Sequence, residues 1–333
     1  MSDVLIVGAT GAVGEELRLL LEPRESLARS LRISASPRSV GRELPFRNST
    51  VKVEELTPEL FNDVELVFFA AGSETSLRYA PEAVRRGCRV IDNSSAFRMN
   101  EDCPLVIPEV NGETLDGFDS AGIIANPNCS TIIGLTAIAP LRALGRIARI
   151  SMCTYQAISG AGARAMDELE SQTRAWVAGD PLPDDVIGQQ AIFNCFTHES
   201  VVGEDGMNVE ERKLGVESRR ILGDPHLRVS VTCMRVPVLR AHTEAIHLEF
   251  DCPVEPLAAQ ECLQAARGVR LVDSPQPIHV AGCDDVHVGR IRRDHGVVDD
   301  RGLALLVSGD QLRKGAALNA VQIAEYSFEH SKS

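Results

Sequence analysis

The chain has 333 residues, 44% hydrophobic and 24% charged, which is ordinary for a globular protein and long enough for about two domains with cores of their own. Disordered, collagen-like and coiled-coil readings are excluded on that basis. With 34 basic and 47 acidic residues the net charge is −13, which argues against a general nucleic-acid or anionic-membrane surface. An anionic small ligand remains open to it, held by a few local arginines or a helix N-terminus.

In chain order, residues 3–7 (DVLIV) read as a strand and residues 12–21 as a helix. Residues 31–35 (LRISA) and 64–70 (VELVFFA) read as the next strands, followed by a helix over 75–86. Residues 89–91 and 122–125 (GIIA) continue the series. Apolar strands alternating with helices predict a doubly wound parallel sheet of the nucleotide-binding kind. After Cys129 the texture changes. Residues 131–144 read as a long apolar helix, 148–157 as a strand and 164–177 as a helix, with a loop over 179–188. Residues 227–237, 244–250 and 286–293 read as longer strands of the antiparallel kind, with a helix over 256–266 among them. The segment 310–329 reads as one amphipathic helix able to pack back on the first domain. The fold class is therefore α/β, a Rossmann-type sheet followed by an α+β domain.

The turn Gly8-Ala9-Thr10-Gly11-Ala12-Val13-Gly14 follows the first strand and opens a helix. Glycines there permit a tight turn and a close approach of backbone to a pyrophosphate, which the helix N-terminus would bind. An ordinary glycine-rich turn is the competing reading. The second strand runs into Ser34-Ala35-Ser36-Pro37-Arg38-Ser39, without the carboxylate that would bond a ribose 2′-hydroxyl. Arg38 between two serines suits a 2′-phosphate, so NADP is favoured over NAD. A solvated basic loop is the alternative.

Asn126-Pro127-Asn128-Cys129-Ser130-Thr131 falls where a strand gives way to a helix. A thiol at a helix start is stabilised as an anion, and the same N–H groups favour an adjacent oxyanion. On this segment alone, a reactive thiol and a buried structural thiol stand level. Arg235 and His242 bracket the segment RVPVLRAH. An arginine fork suits a carboxylate, and a histidine can serve as base beside a thiol. The eight histidines show no metal-ligand spacing, and no metal is expected. Nine cysteines, an odd number without a CxxC pair, fit a reducing compartment. The N-terminus MSDVLIVGAT lacks a signal-peptide pattern, and no apolar run reaches the roughly 18 residues of a membrane span. A cytoplasmic location is expected.

Taken together, GATGAVG, DNSSAFRM (92–99), NPNCSTI (126–132), YQAISGAG (155–162), EERK (210–213), RVPVLRAH (235–242), DDVHVGRIRRD (284–294) and LRKGAALNAVQIAE (312–325) resemble the aspartate-β-semialdehyde dehydrogenase family over nearly the whole chain. The resemblance implies NADP-dependent interconversion of aspartate β-semialdehyde plus phosphate with β-aspartyl phosphate, in lysine, threonine and methionine biosynthesis. It implies Cys129 as nucleophile through a thioester, His242 as acid/base and Gln156 as the residue orienting the intermediate. It implies Arg235 on the substrate carboxylate, Glu210 near its amino group, and Arg98, Lys213 and Asn128 around phosphate. Gly8, Thr10, Gly11, Ala12 and Val13 match the pyrophosphate turn, Ser36, Arg38 and Ser39 the 2′-phosphate loop, and Ser159, Gly160 and Gln311 the nicotinamide side. The implied domains are an NADP-binding domain over 1–128, completed by a C-terminal helix over 311–333, and a catalytic and dimerisation domain over 129–310. The implied assembly is a homodimer, with a tetramer as the larger alternative. Gln311 departs from the family's usual asparagine, and NCFTHESVVGEDG (194–206) departs from its NVIPH-type pattern. The rival readings are N-acetyl-γ-glutamyl-phosphate reductase, a non-enzymatic paralogue keeping the fold, and a generic NADP-binding protein.

Overall fold

Short apolar runs build the first sheet. In the computed structural model, which describes residues 2–118 and 121–330, the strands are β1 (Ser2–Val7), β2 (Ala28–Ser34), β3 (Glu43–Phe46), β4 (Ser49–Glu54), β5 (Leu66–Phe69), β6 (Arg89–Asp92) and β7 (Gly122–Ala125). They pair in the order β3-β4-β2-β1-β5-β6-β7. β5 and β6 are buried at every residue, as continuous apolar strands of a two-face-covered sheet must be. All pairs are parallel except β3 with β4. That hairpin, absent from the sequence expectation, turns at Arg47 with a positive φ of 53°. β2 flanks β1 on one side and β5 on the other, which is where a doubly wound sheet changes direction and binds its ligand. Val4, Ile6 and Phe68 share one core cluster with Leu17, Leu20 and Leu21 of the helix Ala12–Leu21 and with Ala320, Val321 and Ala324 of the helix Leu318–Glu329.

The second sheet contains β8 (Ile147–Gln156), β9 (Phe196–Thr197), β10 (Arg228–Arg235), β11 (His242–Phe250), β12 (Val269–Leu271), β13 (Val286–Arg293) and β14 (Gly302–Gly309), in the order β12-β13-β14-β11-β8-β10-β9. It is mixed rather than antiparallel throughout. β8 pairs with β10 in parallel because the chain between them passes through the helices Ala163–Ala178 and Val209–Leu222, a crossover rather than a hairpin. β11 pairs antiparallel with both β8 and β14. The helix Cys129–Ile138 is buried at every residue from Ser130 to Ile138. It is shorter than expected, because Pro140 has no N–H to continue the ladder and residues Ala139–Leu144 tighten into a 3-10 turn.

The terminal segment also differs from a single helix over 310–329. The buried Asp310 carboxylate accepts the N–H groups of Leu312 and Arg313, which holds the chain in a turn. A π-helical stretch, Arg313–Ala317, then leads into the helix Leu318–Glu329. Residues 331–333 of the expected helix over 311–333 lie outside the described residues.

The chain divides into two compact units, Met1–Asn128 with Ala316–Ser333, and Cys129–Gly315. Among the described residues no helix is long and apolar enough to cross a membrane, and no group of three or more His, Cys, Asp or Glu side chains is arranged to hold a metal ion. None of the nine cysteines is joined in a disulfide.

Two helical glycines give opposite predictions. A Cβ on Gly14 would stand 2.2 Å from the Gly8 carbonyl oxygen, whereas one on Gly215 meets nothing closer than Arg219 Nη1 at 3.6 Å. Gly215→Ala should stabilise the protein by about 0.5–1 kcal/mol through helix propensity. Gly14→Ala should cost about 1–3 kcal/mol through overpacking. Denaturant unfolding measures both, and a neutral Gly14→Ala would contradict the close-packed turn.

Candidate active site

In the first unit, the carbonyl oxygen of Ser34 at the end of β2 accepts the N–H groups of Gly8 (2.8 Å) and Ala9 (3.0 Å), fastening the turn to its neighbouring strand. Gly8 has φ +94°, and a Cβ there would lie 2.5 Å from the Ala70 carbonyl oxygen, so only glycine fits. No side chain caps the helix that starts at Ala12. Its first N–H groups, around Ala12 and Val13, are the kind of donors that hydrogen-bond phosphate oxygens. Thr10 Oγ1 lies 3.5 Å from Ser39 Oγ, bringing the glycine turn beside the Pro37–Ser39 turn. Ser36 and Arg38 are exposed there. A cavity of about 380 Å³ opens at this edge of the sheet, lined by Gly8, Ser34, Ser36, Pro37, Thr75 and Tyr79 among others. Its wall also holds one carboxylate, Glu55, which the sequence reading did not single out. The end of β2 supplies a serine and no carboxylate. Apart from Glu55, these features fit a dinucleotide carrying a 2′-phosphate.

The segment that leads to the thiol is fixed within the same unit. Asn126 Nδ2 donates to Asn93 Oδ1 (2.8 Å) and to the Ala316 carbonyl oxygen (3.1 Å), and Asn319 Nδ2 donates to Asn126 Oδ1 (2.6 Å). Arg98 donates from Nε to the Asn126 carbonyl oxygen and from Nη2 to that of Asn93, each at 2.9 Å. Arg98 and Asn128 are both buried.

The second unit brings Cys129, Gln156, Arg235 and His242 together. Cys129 is the first residue of its helix, and its Sγ lies 3.6 Å from His242 Nε2. The other ring nitrogen, Nδ1, accepts the N–H of Ala157 at 3.0 Å. A neutral imidazole carries one proton, and with Nδ1 acting as acceptor that proton sits on Nε2, facing the sulfur. Burial, with the Arg235 and His198 charges adding to it, holds His242 well below its ordinary pKa. The ring is thus a neutral donor toward the thiol. Ala241, just before it, has φ +77°, and its N–H donates to Gln311 Oε1 at 2.8 Å. Gln311 Nε2 also donates to Ser159 Oγ. In this structure both ends of the Gln311 amide are engaged by the protein, and they brace the strained residue that carries the histidine.

Gln156 Nε2 donates to Ser130 Oγ (3.2 Å) and Thr154 Oγ1 (3.3 Å). Arg235, 2% exposed, ends β10. Its Nη1 donates to the Ala157 carbonyl oxygen at 2.9 Å. A Cβ on Gly160 would meet that Nη1 at 2.9 Å and the His242 ring at 3.4 Å, so the absent side chain leaves the two groups open to each other.

The outer edge of the Arg235 fork is already occupied. Nε donates to Glu199 Oε2 at 3.1 Å, Nη2 donates to Glu199 Oε1, and Nη2 lies 3.1 Å from His198 Nε2. Burial pushes the Glu199 carboxyl up, but the hydrogen bond and charge of Arg235 outweigh it and hold the group below its ordinary value. His198 Nδ1 meets Ser200 Oγ at 3.1 Å, and Ser200 Oγ accepts the Glu210 N–H at 3.2 Å. That ties Arg235 to the start of the helix Val209–Leu222, where Glu210 Oε2 and Lys213 Nζ are 3.5 Å apart. Sequence reasoning passed over His198, Glu199, Ser130 and Thr154. Only the unusual HES at 198–200 could have pointed to the first two.

Residues 3–118 match the semialdehyde dehydrogenase NAD binding domain, and residues 138–314 match the semialdehyde dehydrogenase dimerisation domain. The chain is 44% identical to the aspartate-semialdehyde dehydrogenase of Aquifex aeolicus, over 97% of this chain and 96% of that protein. It is 43% identical to that of Corynebacterium glutamicum, over 98% and 99%. The crystal structure of aspartate semialdehyde dehydrogenase II from Vibrio cholerae superposes with a TM-score of 0.95 at 40% identity, covering 99% of each chain. The same Vibrio enzyme has been solved complexed with ASA.

The tautomer can be read directly. With ¹⁵N-labelled histidine, His242 should show an unprotonated Nδ1 and a protonated Nε2, unchanged between about pH 5.5 and pH 8. An imidazolium appearing in that range would contradict the Ala157 hydrogen bond.

Proposed function

The chain belongs to the aspartate-semialdehyde dehydrogenase family, and we propose that it reversibly converts β-aspartyl phosphate and NADPH to aspartate β-semialdehyde, NADP and phosphate through a thioester on Cys129. The contact of Cys129 Sγ with His242 Nε2 at 3.6 Å, at the start of a buried helix, carries this reading. The helix N-terminus and the Nε2–H both favour negative charge on the sulfur or on an oxygen of the carbon it attacks.

In the reductive direction, the thiolate forms a C–S bond at the acyl carbon and the C–O bond to phosphate breaks, with phosphate leaving as the anion. NADPH, when bound, supplies the hydride that reduces the thioester carbon. The resulting alkoxide receives the His242 Nε2–H hydrogen bond. Its electron pair re-forms C=O, the C–S bond breaks, and the aldehyde departs with the thiolate restored. The balance closes with His242 serving as hydrogen-bond donor, a narrower part than the acid/base that the resemblance implies, because the Ala157 N–H already occupies Nδ1. Gln156, pinned by Ser130 and Thr154, limits where the acyl group sits.

Arg235 holds the substrate carboxylate, for which the Glu199 carboxylate must yield the bidentate edge. Glu210 faces the substrate ammonium, and Arg98, Lys213 and Asn128 take the phosphate. Gly8, Thr10, Gly11, Ala12 and Val13 serve the pyrophosphate, and Ser36, Arg38 and Ser39 the 2′-phosphate. Ser159, Gly160 and Gln311 flank the nicotinamide. The NADP-binding domain comprises 1–128 with the returning segment from Ala316, and the catalytic domain 129–315, five residues longer than the expected boundary at 310. The enzyme is a cytoplasmic homodimer, with a tetramer as a pair of dimers, and serves lysine, threonine and methionine biosynthesis.

The direct test is phosphate-dependent reduction of NADP with aspartate β-semialdehyde. Cys129→Ala should lower kcat by at least about 10³-fold, as expected for loss of a nucleophile. Activity surviving in that variant would remove the covalent route. Arg38→Ala should raise the KM for NADP by roughly tenfold or more while leaving that for NAD nearly unchanged, since only NADP presents the extra phosphate. Equal effects on both would remove the 2′-phosphate assignment.

A further inference from the structure

One fully buried carboxyl in the second unit has no part in the chemistry above. Glu244 lies on β11, two residues after His242, and is 0% exposed. Beyond His242, its strand face buries Ile246, Leu248 and Phe250. An acid at such a position costs stability relative to an aliphatic side chain, and proteins retain such costs mainly at functional sites. Burial pushes its carboxyl well above the ordinary carboxylate range, which favours the protonated form.

The surroundings of Glu244 lead back to the thiol. Glu244 Oε2 presses on the helix Cys129–Ile138 at Gly134, where a Cβ would stand only 2.7 Å away. Ser130 stands one helical turn before Gly134 on the same helix face, and its hydroxyl partly offsets the effect of burial on the carboxyl, although neither carboxyl oxygen completes a hydrogen bond. Ser130 is also the partner of Gln156 Nε2. On β8, the residue paired with Glu244 is Thr154, the second partner of Gln156 Nε2. The Glu244 carboxyl thus adjoins both hydroxyl-bearing partners of Gln156, Ser130 and Thr154, next to the residue that carries the thiol.

We propose that Glu244 is a positioning residue that backs Ser130 and, through it, holds the Gln156 amide in the orientation the acyl intermediate requires. The inference rests on the reading that Cys129 and Gln156 act on the substrate. A leucine in place of Glu244 would leave Ser130 and Gln156 without that restraint while satisfying the apolar face of the strand. A glutamine would keep a neutral group able to donate and accept.

Steady-state kinetics and thermal unfolding of Glu244→Leu and Glu244→Gln test it. Glu244→Leu should keep or raise Tm, since an apolar side chain suits the site. It should lower kcat by roughly tenfold to a hundredfold, the scale expected for a misplaced catalytic group, with KM for aspartate β-semialdehyde nearly unchanged. Glu244→Gln should recover most of the loss. A Glu244→Leu enzyme within about threefold of wild-type kcat overturns the inference, as does a loss that Glu244→Gln fails to recover. If Glu244→Leu fails to fold, Ser130→Ala replaces it. That variant should show the same kcat-selective loss, and adding Glu244→Gln to it should change kcat no further. A Ser130→Ala enzyme with full activity also overturns the inference. Cys129→Ala run alongside separates the two failures: activity surviving there sinks the covalent reading itself, whereas its loss beside an unaffected Glu244→Leu sinks only the role of Glu244.

Discussion

β8 runs parallel to β10 and antiparallel to β11, and that mixed register assembles the proposed catalytic set. Parallel pairing puts Gln156 opposite Arg235 where both strands end. Antiparallel pairing starts β11 at that same edge, so His242 enters the sheet where Gln156 leaves it. Were β10 antiparallel to β8, Arg235 would stand at the far edge. The next residue along β8, Ala157, then serves two of the three side chains: its N–H fixes the His242 tautomer and its carbonyl oxygen fixes Arg235. One residue beyond a strand end therefore sets both the protonation pattern of the imidazole and the aim of the guanidinium. Rigid sheet edges hold such constellations better than loops do.

An acidic chain binds anions by placing individual cations rather than by its overall field. Arg235 and Arg98 are buried, and each spends donors on backbone carbonyl oxygens. A guanidinium fixed in this way loses little further freedom when an anion arrives, because its planar fork is already oriented. The net charge of −13 keeps the remaining surface unattractive to polyanions.

How much of this was legible in the sequence depended on whether the signal was local. The turn from Gly8 to Gly14 announces itself because two of its glycines are demanded by contacts within a few residues of β1 and its neighbours. Cys129 is visible as a helix start for the same reason. The parallel pairing of β8 with β10 is not visible, because it depends on where a long crossover returns. β14 (GLALLVSG) runs straight into the turn at Asp310, whose side chain bonds locally and hides the boundary between strand and helix. Glu199 and Glu244 read as ordinary charges in the sequence. Only the fold shows that one faces an arginine and the other is enclosed by a strand and a helix.

Glu199 gives the arginine pocket a built-in competitor. Any small carboxylate that takes the bidentate edge of Arg235 exchanges one ion pair for another, so its affinity reports a difference between two similar contacts. A tethered rival acts at an effective concentration on the order of millimolar, against which a free ligand must compete. For a designer of blocking compounds, a better anion is therefore a poor place to invest. A compound that leaves Glu199 seated, and uses the Nη1 side opened by Gly160, avoids the exchange altogether.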